Sequence, residues 1–91
     1  DWGRFHTPKN LAMALAGEAG ELLAEFQWMT AEESVALTPG QRATVTSELA
    51  DVFIYLVRLA DVIGVDLLDA VSEKKGPRKL EATTRHVQAA Y

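Results

Sequence analysis

The stretch TPKNLAMALAGEAGELLAEFQW, residues 7–28, has the apolar spacing of a long amphipathic helix. Thr7 can cap the helix with its hydroxyl, and Pro8 suits the first helical position. Apolar side chains then recur at helical intervals, at Leu11, Leu15, Leu22 and Phe26. Glu18 and Glu21 share this stripe, although an unpaired buried carboxylate is costly. The stretch therefore predicts a helix that extends to about Trp28 and a compensating partner for the two acids.

Two more helices are predicted downstream by their start and stop signals. Thr38-Pro39 is a second helix start, and Gln41 is placed to complete a capping box with Thr38. The apolar spacing then continues for roughly six turns, to a stop near Gly64. Asp66 can cap a third helix, residues 67–75, which Gly76-Pro77 ends.

The remaining segments add no strand. Residues 29–38 are polar enough for a loop with one turn of helix, and residues 78–90 resemble a weakly amphipathic helix that frays or docks on a neighbour. We therefore expect an all-α fold, a helical bundle of about four helices per subunit.

Composition limits the kind of protein. The 91 residues are expected to form a single domain, residues 1–91, and helices with 48% apolar residues should pair with another subunit. The expected assembly is a homo-oligomer; composition does not choose between a dimer and a tetramer, and the tetramer is the favoured expectation. Arg58 and Asp61 interrupt the longest apolar segment, which argues against a membrane span. The absence of cysteine excludes disulfides and thiolate metal sites, and a net charge of −4 argues against binding to nucleic acid polymers. A start at Asp1 without a signal-like segment indicates part of a cytoplasmic protein.

Charge is distributed unevenly along the chain. Residues 18–73 contain eleven acids and two bases, Arg42 and Arg58, whereas residues 74–85 contain five bases and one acid. Such asymmetry is usually a solvated surface. It is also what a site that holds both cations and phosphates would need, and composition alone does not decide between the two.

The second long helix carries its own acidic pair, Glu48 and Asp51, again three residues apart and within an apolar stripe. One such pair is typical of a solvated helix face, but two pairs on helices that can pack antiparallel would place four like charges together. A divalent cation resolves that conflict, and an all-oxygen ligand set indicates Mg²⁺, with Mn²⁺ as a substitute. A di-iron carboxylate site would need Glu-x-x-His pairs, which this sequence lacks.

The two blocks that contain these acids resemble a known family. WGRFHTPKNLAMALAGEAGELLAEFQW (residues 2–28) and ELADVFIYLVRLADVIGVDLLDAV (residues 48–71) are similar to the MazG-like, all-α nucleoside triphosphate pyrophosphohydrolases, in particular to their dCTP pyrophosphatase branch. The resemblance implies a Mg²⁺-dependent, oligomeric hydrolase that converts a nucleoside triphosphate, with a cytosine deoxynucleotide expected, to the monophosphate and pyrophosphate. Enzymes of this kind remove modified or surplus nucleotides from the precursor pool, a house-cleaning role.

The resemblance also implies roles for individual residues. The expected metal-binding and catalytic set is Glu18, Glu21, Glu48 and Asp51, with the general base favoured within the first pair. The expected substrate-binding set is Trp2, His6, Asn10, Trp28, Tyr55, Lys74 and Arg78. In this set the aromatic residues and His6 border the nucleobase, and Asn10 adds a polar contact. The basic side chains of Lys74 and Arg78 contact the triphosphate.

Each role has an alternative in the sequence. Trp28 and Tyr55 would also suit a protein core, and His6 a helix cap. Arg78 stands near the family's asparagine, in a Gly76-Pro77 turn that departs from the family pattern and is equally typical of a basic solvated turn. Glu25 would be an outer-shell partner of the metal site or a surface residue.

Three alternative functions remain open. The chain could bind nucleotides with a metal but without turnover, or act only as a structural oligomerisation bundle. Within the enzymes, a phosphoribosyl-ATP pyrophosphohydrolase is the neighbouring possibility, although the segments around His6 and Trp28 favour the dCTP-like branch.

Overall fold

A computed structural model describes residues 6–75 of the chain. Its helices are α1 (Pro8–Phe26), α2 (Ala31–Ser34), α3 (Pro39–Ile63) and α4 (Leu67–Lys75). No strand occurs within these described residues. The predicted all-α class is therefore confirmed, as are the three longer helices and the single helical turn between the first two. Helix α1 ends at Phe26, two residues before the predicted end near Trp28.

The helices begin where the sequence places caps. Thr7 Oγ1 accepts a hydrogen bond from the backbone N–H of Asn10 at 3.3 Å, and Pro8 occupies the first turn of α1. At α3, Thr38 Oγ1 accepts from the Gln41 N–H at 3.1 Å while Gln41 Oε1 accepts from the Thr38 N–H at 2.9 Å. This is the predicted capping box, which satisfies two backbone donors at once.

Two further caps complete the helix starts. Asp66 Oδ1 accepts from the Asp69 N–H at 3.0 Å, as predicted for α4. Thr30 and Glu33 form a second capping box, with distances of 3.1 and 2.9 Å, at the start of α2. This box was not predicted, although the Thr-x-x-Glu pattern is present in the sequence.

Helix α3 ends at a glycine with left-handed backbone. Gly64 has φ of +75°, its N–H donates to the Asp61 carbonyl at 3.2 Å, and the Val65 N–H donates to the Ala60 carbonyl at 2.8 Å. These two bonds are those of a Schellman motif, which satisfies carbonyls that have no partner within the helix. Gly64 adopts this φ without the steric penalty that a Cβ would bring.

The chain divides into two compact units, one ending at Leu59 and the other beginning at Ala60, so that α3 contributes to both. In the first unit Leu11, only 2% exposed, and Val45 are buried, and in the second Ala60 is buried. The expectation of one functional domain over residues 1–91 stays a prediction. The predicted helix in residues 78–90 lies outside the described residues.

Many large apolar side chains are exposed. They include Met13, Leu23, Leu49, Ile54, Val62, Ile63 and Leu68. Trp28 and Val35, on either side of α2, are 87% and 86% exposed. Among the described residues, no helix is both long and apolar enough to cross a membrane.

Candidate functional site

Three of the four predicted acidic ligands meet between α1 and α3. One carboxylate oxygen from each of Glu18, Glu21 and Glu48 lies within 4.8 Å of the other two. Glu18 and Glu21 share a helix face because they are three residues apart. Glu48 approaches them from α3. We call these three residues the carboxylate cluster.

Burial makes the carboxylate cluster electrostatically unfavourable when its acids are ionised. Glu18 and Glu48 are each half-buried, and Oε2 of each is buried without a hydrogen-bond partner in the described part of the chain. An unpartnered buried polar atom normally costs free energy and calls for an explanation. Here both oxygens belong to residues whose carboxylates come within 4.8 Å of one another, so a single cation bound by oxygen ligands would explain both.

The pKa values of two cluster members respond to this environment. Loss of solvation on burial raises the pKa of Glu18, and the hydrogen bond and charge of Glu21 raise it further. Burial also raises the pKa of Glu48, with the charge and hydrogen bond of Glu21 as the next causes. Both shifts have the sign expected when like charges share a poorly solvated site.

Two neighbouring acids, Asp51 and Glu25, also interact electrostatically with the cluster. Asp51 is half-buried and lies outside the group defined by 4.8 Å, but its charge contributes to raising the pKa of both Glu18 and Glu48. The charge of Glu25, also half-buried, contributes to raising the pKa of Glu48. The choice between an outer-shell role and a surface role for Glu25 stays a prediction.

The donor set fits a hard divalent cation. Carboxylate oxygens are the ligands that Mg²⁺ and Mn²⁺ prefer, and Glu18 and Glu48 each have a buried carboxylate oxygen without a hydrogen-bond partner among the described residues. The positive charge of the cation would also attract each of the three carboxylates and so offset the repulsion among them. The residues present can therefore hold a divalent metal ion.

The predicted nucleobase residues lie in three different settings. Trp28 follows α1 and is 87% exposed, so it is not part of the core formed by residues 6–75. Tyr55 is half-buried on α3, seven residues after Glu48 and therefore on nearly the same helix face. His6 is half-buried just before α1. Trp2 lies outside the described residues.

The predicted polar and phosphate-binding residues are less constrained by the structure. Asn10 is exposed in the first turn of α1, where its backbone N–H completes the Thr7 cap and leaves its side-chain amide for another role. Lys74 is exposed near the end of α4, in the second unit. Arg78 lies outside the described residues.

Known proteins are similar to this chain in sequence. The model of the MazG-like family matches residues 14–87. A protein of Bos taurus named dCTP pyrophosphatase 1 is 51% identical over 73 residues, which cover 78% of this chain and 43% of the relative. Its Homo sapiens namesake is 50% identical over 76 residues, which cover 81% of this chain and 45% of the relative.

A solved structure extends the similarity to the fold. The crystal structure of a pyrophosphatase from Archaeoglobus fulgidus has a TM-score of 0.72 and 38% sequence identity, and the match covers 93% of this chain and 75% of that one. The chain spans less than half the length of the two mammalian relatives it matches.

Proposed function

Since the chain belongs to the MazG-like family, we propose that it is a nucleotide pyrophosphohydrolase. Its substrate in this proposal is a deoxynucleoside triphosphate, dCTP or a modified dCTP-like pyrimidine nucleotide, which it converts to the monophosphate and pyrophosphate in the cytoplasmic nucleotide pool. The observation that carries the proposal is the carboxylate cluster, in which Glu18 and Glu48 each keep a buried oxygen without a partner. The names of the mammalian relatives support the choice of substrate.

The proposed cofactor is Mg²⁺, with Mn²⁺ as a substitute, held by Glu18, Glu21, Glu48 and Asp51. Such an ion, when bound, supplies Lewis acidity to phosphate oxygens and lowers the pKa of a coordinated water. The first three residues already converge, and Asp51 lies near enough for its charge to act on Glu18 and Glu48.

The reaction requires one bond to form and one to break. A water oxygen bonds to the α-phosphorus, the bond from that phosphorus to the α–β bridging oxygen breaks, and pyrophosphate leaves with the bonding electron pair. The water proton passes to a carboxylate of the first pair in this proposal. Glu21 is the exposed member of that pair and is open to solvent, whereas Glu18 is half-buried with a raised pKa, which makes it the better proton acceptor.

Substrate binding is assigned in this proposal to aromatic, polar and basic side chains outside the cluster. Trp28 and Tyr55 would offer aromatic faces to the base, with His6 and Asn10 as polar neighbours, while Lys74 would act on the phosphates. Trp2 and Arg78 complete the proposed set from outside the described residues. The exposure of Trp28 supports this assignment, because a tryptophan that is 87% exposed has its whole face open to a ligand.

We also propose that the chain works as a homo-oligomer, with a tetramer favoured. The support is the number of exposed large apolar side chains, among them Leu49, Phe53 and Leu56, which recur at intervals of three and four along α3. Light scattering coupled to gel filtration tests this proposal directly. A monomer at micromolar concentration would contradict it.

The decisive test is a screen of natural and modified nucleoside triphosphates with detection of released pyrophosphate, in Mg²⁺ and in EDTA. We expect release in Mg²⁺ alone, fastest for cytosine deoxynucleotides. Glu48→Gln and Asp51→Asn should keep the fold and abolish turnover, while Glu32→Gln, which removes an acid of α2 outside the cluster, should not. Nucleotide binding without pyrophosphate release would favour the non-catalytic module, and indifference to both nucleotide and Mg²⁺ would favour the structural bundle.

A further inference from the structure

The proposed substrate brings more negative charge to a site that is already acidic. A triphosphate adds several charges to those of the carboxylate cluster and Asp51, and a divalent cation offsets only part of the sum. Among the described residues, the first unit contains three bases, Lys9, Arg42 and Arg58. The position of each base relative to the acids decides which of them can serve the site.

Helix geometry separates the three bases. With 3.6 residues per turn, Arg58 lies seven residues after Asp51 and therefore within about 20° of it around α3. Arg42 lies nine residues before Asp51, about 180° away on the opposite face. Lys9 stands in the same relation to Glu18 on α1, also about 180° away. Arg58 is thus the one base of the three that shares a helix face with an acid of the site.

The reach of Arg58 is also suitable. Its Cα is about 10 Å further along the axis of α3 than that of Asp51, and helical side chains lean toward the N-terminal turn, here toward Asp51. The side chain of Arg58 is exposed, so a ligand can approach it from solvent. A guanidinium is planar, always charged and matched in shape to two phosphate oxygens, which makes it well suited to a phosphate chain.

We propose that Arg58 binds the phosphate chain of the nucleotide, at the β- and γ-phosphates that leave as pyrophosphate. This inference rests on the proposed function, because it takes the α-phosphorus to lie at the carboxylate cluster. The distal phosphates then extend from the cluster along α3, where Arg58 neutralises charge that the metal does not.

The test compares Arg58→Gln with Arg42→Gln, which removes the same charge from the opposite face of the same helix. For each variant the measurements are KM and kcat for dCTP in Mg²⁺, inhibition by pyrophosphate and by dCMP, and the melting temperature. Arg58→Gln should raise KM and weaken pyrophosphate inhibition by roughly ten- to a hundredfold, the usual effect of losing a hydrogen bond to a charged group, with dCMP inhibition unchanged. Arg42→Gln should behave as the wild type.

Two results would overturn the inference. One is wild-type kinetics in Arg58→Gln, and the other is equal weakening of pyrophosphate and dCMP inhibition, which would indicate a nucleoside contact or a structural role. If Arg58→Gln melts early, Arg58→Lys keeps the charge and should show a smaller, still selective loss of pyrophosphate affinity. If the wild type releases no pyrophosphate from any triphosphate, the proposed function fails separately, and calorimetry with Mg²⁺ and pyrophosphate still compares the two arginines.

Discussion

Adding a divalent cation should stabilise the metal-free chain, and removing one cluster carboxylate should remove most of that effect. The perturbation is Glu48→Gln, which leaves the shape of the side chain nearly unchanged. Without metal, we expect this variant to melt at a higher temperature than the wild type at neutral pH. The reason is that the new amide carries no charge and can donate a hydrogen bond to the Glu21 carboxylate, with which the Glu48 carboxylate interacts unfavourably.

The size of the metal effect follows from linkage. At a free metal concentration of 100 times Kd, binding to the folded state alone adds about 2.7 kcal/mol to the free energy of unfolding. For a domain of 91 residues each kcal/mol raises Tm by about 4–8 °C, so the wild type should gain roughly 10–20 °C. Loss of one ligand that weakens binding about 100-fold leaves only about 0.4 kcal/mol, or a rise of roughly 2–3 °C.

The assay is thermal unfolding by circular dichroism after EDTA treatment, at one fixed protein concentration, across a titration with Mg²⁺ and then Mn²⁺. Glu32→Gln is the matched control, because it removes one exposed acid from α2 and leaves the cluster intact. A metal-dependent rise in Glu48→Gln as large as that in Glu32→Gln would refute the assignment of Glu48 as a ligand. A lower metal-free Tm in Glu48→Gln would refute the claim that repulsion among the acids destabilises the fold.

Three further predictions follow from the described residues. Burial and neighbouring acids raise the pKa values of Glu18 and Glu48 in the folded state, so the folded protein binds protons at these residues more tightly than the unfolded chain does. The resulting stabilisation is complete at pH values below the ordinary glutamate pKa and is lost as the pH rises through the raised pKa values of the folded state. The urea midpoint of the metal-free protein should therefore decline over that interval, and a variant with both residues changed to Gln should not show the decline. Trp28→Ala should change the free energy of unfolding by no more than about 0.5 kcal/mol, since the side chain is 87% exposed. The same substitution should raise KM for the triphosphate by roughly five- to a hundredfold, because a stacking contact with the base is lost. An unchanged KM would show that Trp28 does not bind the substrate. Gly64→Ala should lower the free energy of unfolding by about 1 kcal/mol in urea titrations, because residue 64 has a positive φ. The control Gly40→Ala, in the first turn of α3, should be neutral or slightly stabilising. Equal effects of the two substitutions would contradict the Schellman assignment.

The features that the sequence predicted well are local ones. The caps at Thr7, Thr38 and Asp66 depend on groups three residues apart, so neighbouring residue types suffice to place the helix starts. The meeting of Glu18 and Glu21 with Glu48 is a tertiary feature. It could be predicted because all three acids lie within the apolar stripes of their helices, and such stripes are the faces that pack together.

The features that were missed depend on tertiary context or on short segments. Thr30 and Glu33 form a capping box whose pattern is present in the sequence, but the short turn predicted within residues 29–38 has too little apolar periodicity to show at which residue it begins. The exposure of Trp28 could not be predicted, since burial is decided by what the rest of the chain, or another chain, places against a side chain. Asp51 lies outside the 4.8 Å group, so its role as a ligand stays a prediction; its spacing from Glu48 specifies a helix face and not a side-chain conformation.

The two capping boxes between α1 and α3 have a kinetic consequence. Since every bond in them joins residues of low sequence separation, both helix starts can form early in folding, before α1 meets α3. The carboxylates of Glu18, Glu21 and Glu48 come together only when the helices dock, which places their repulsion late on the folding route. A bound cation should therefore slow the unfolding rate far more than it accelerates refolding, and chevron plots with and without Mg²⁺ would differ mainly in the unfolding limb.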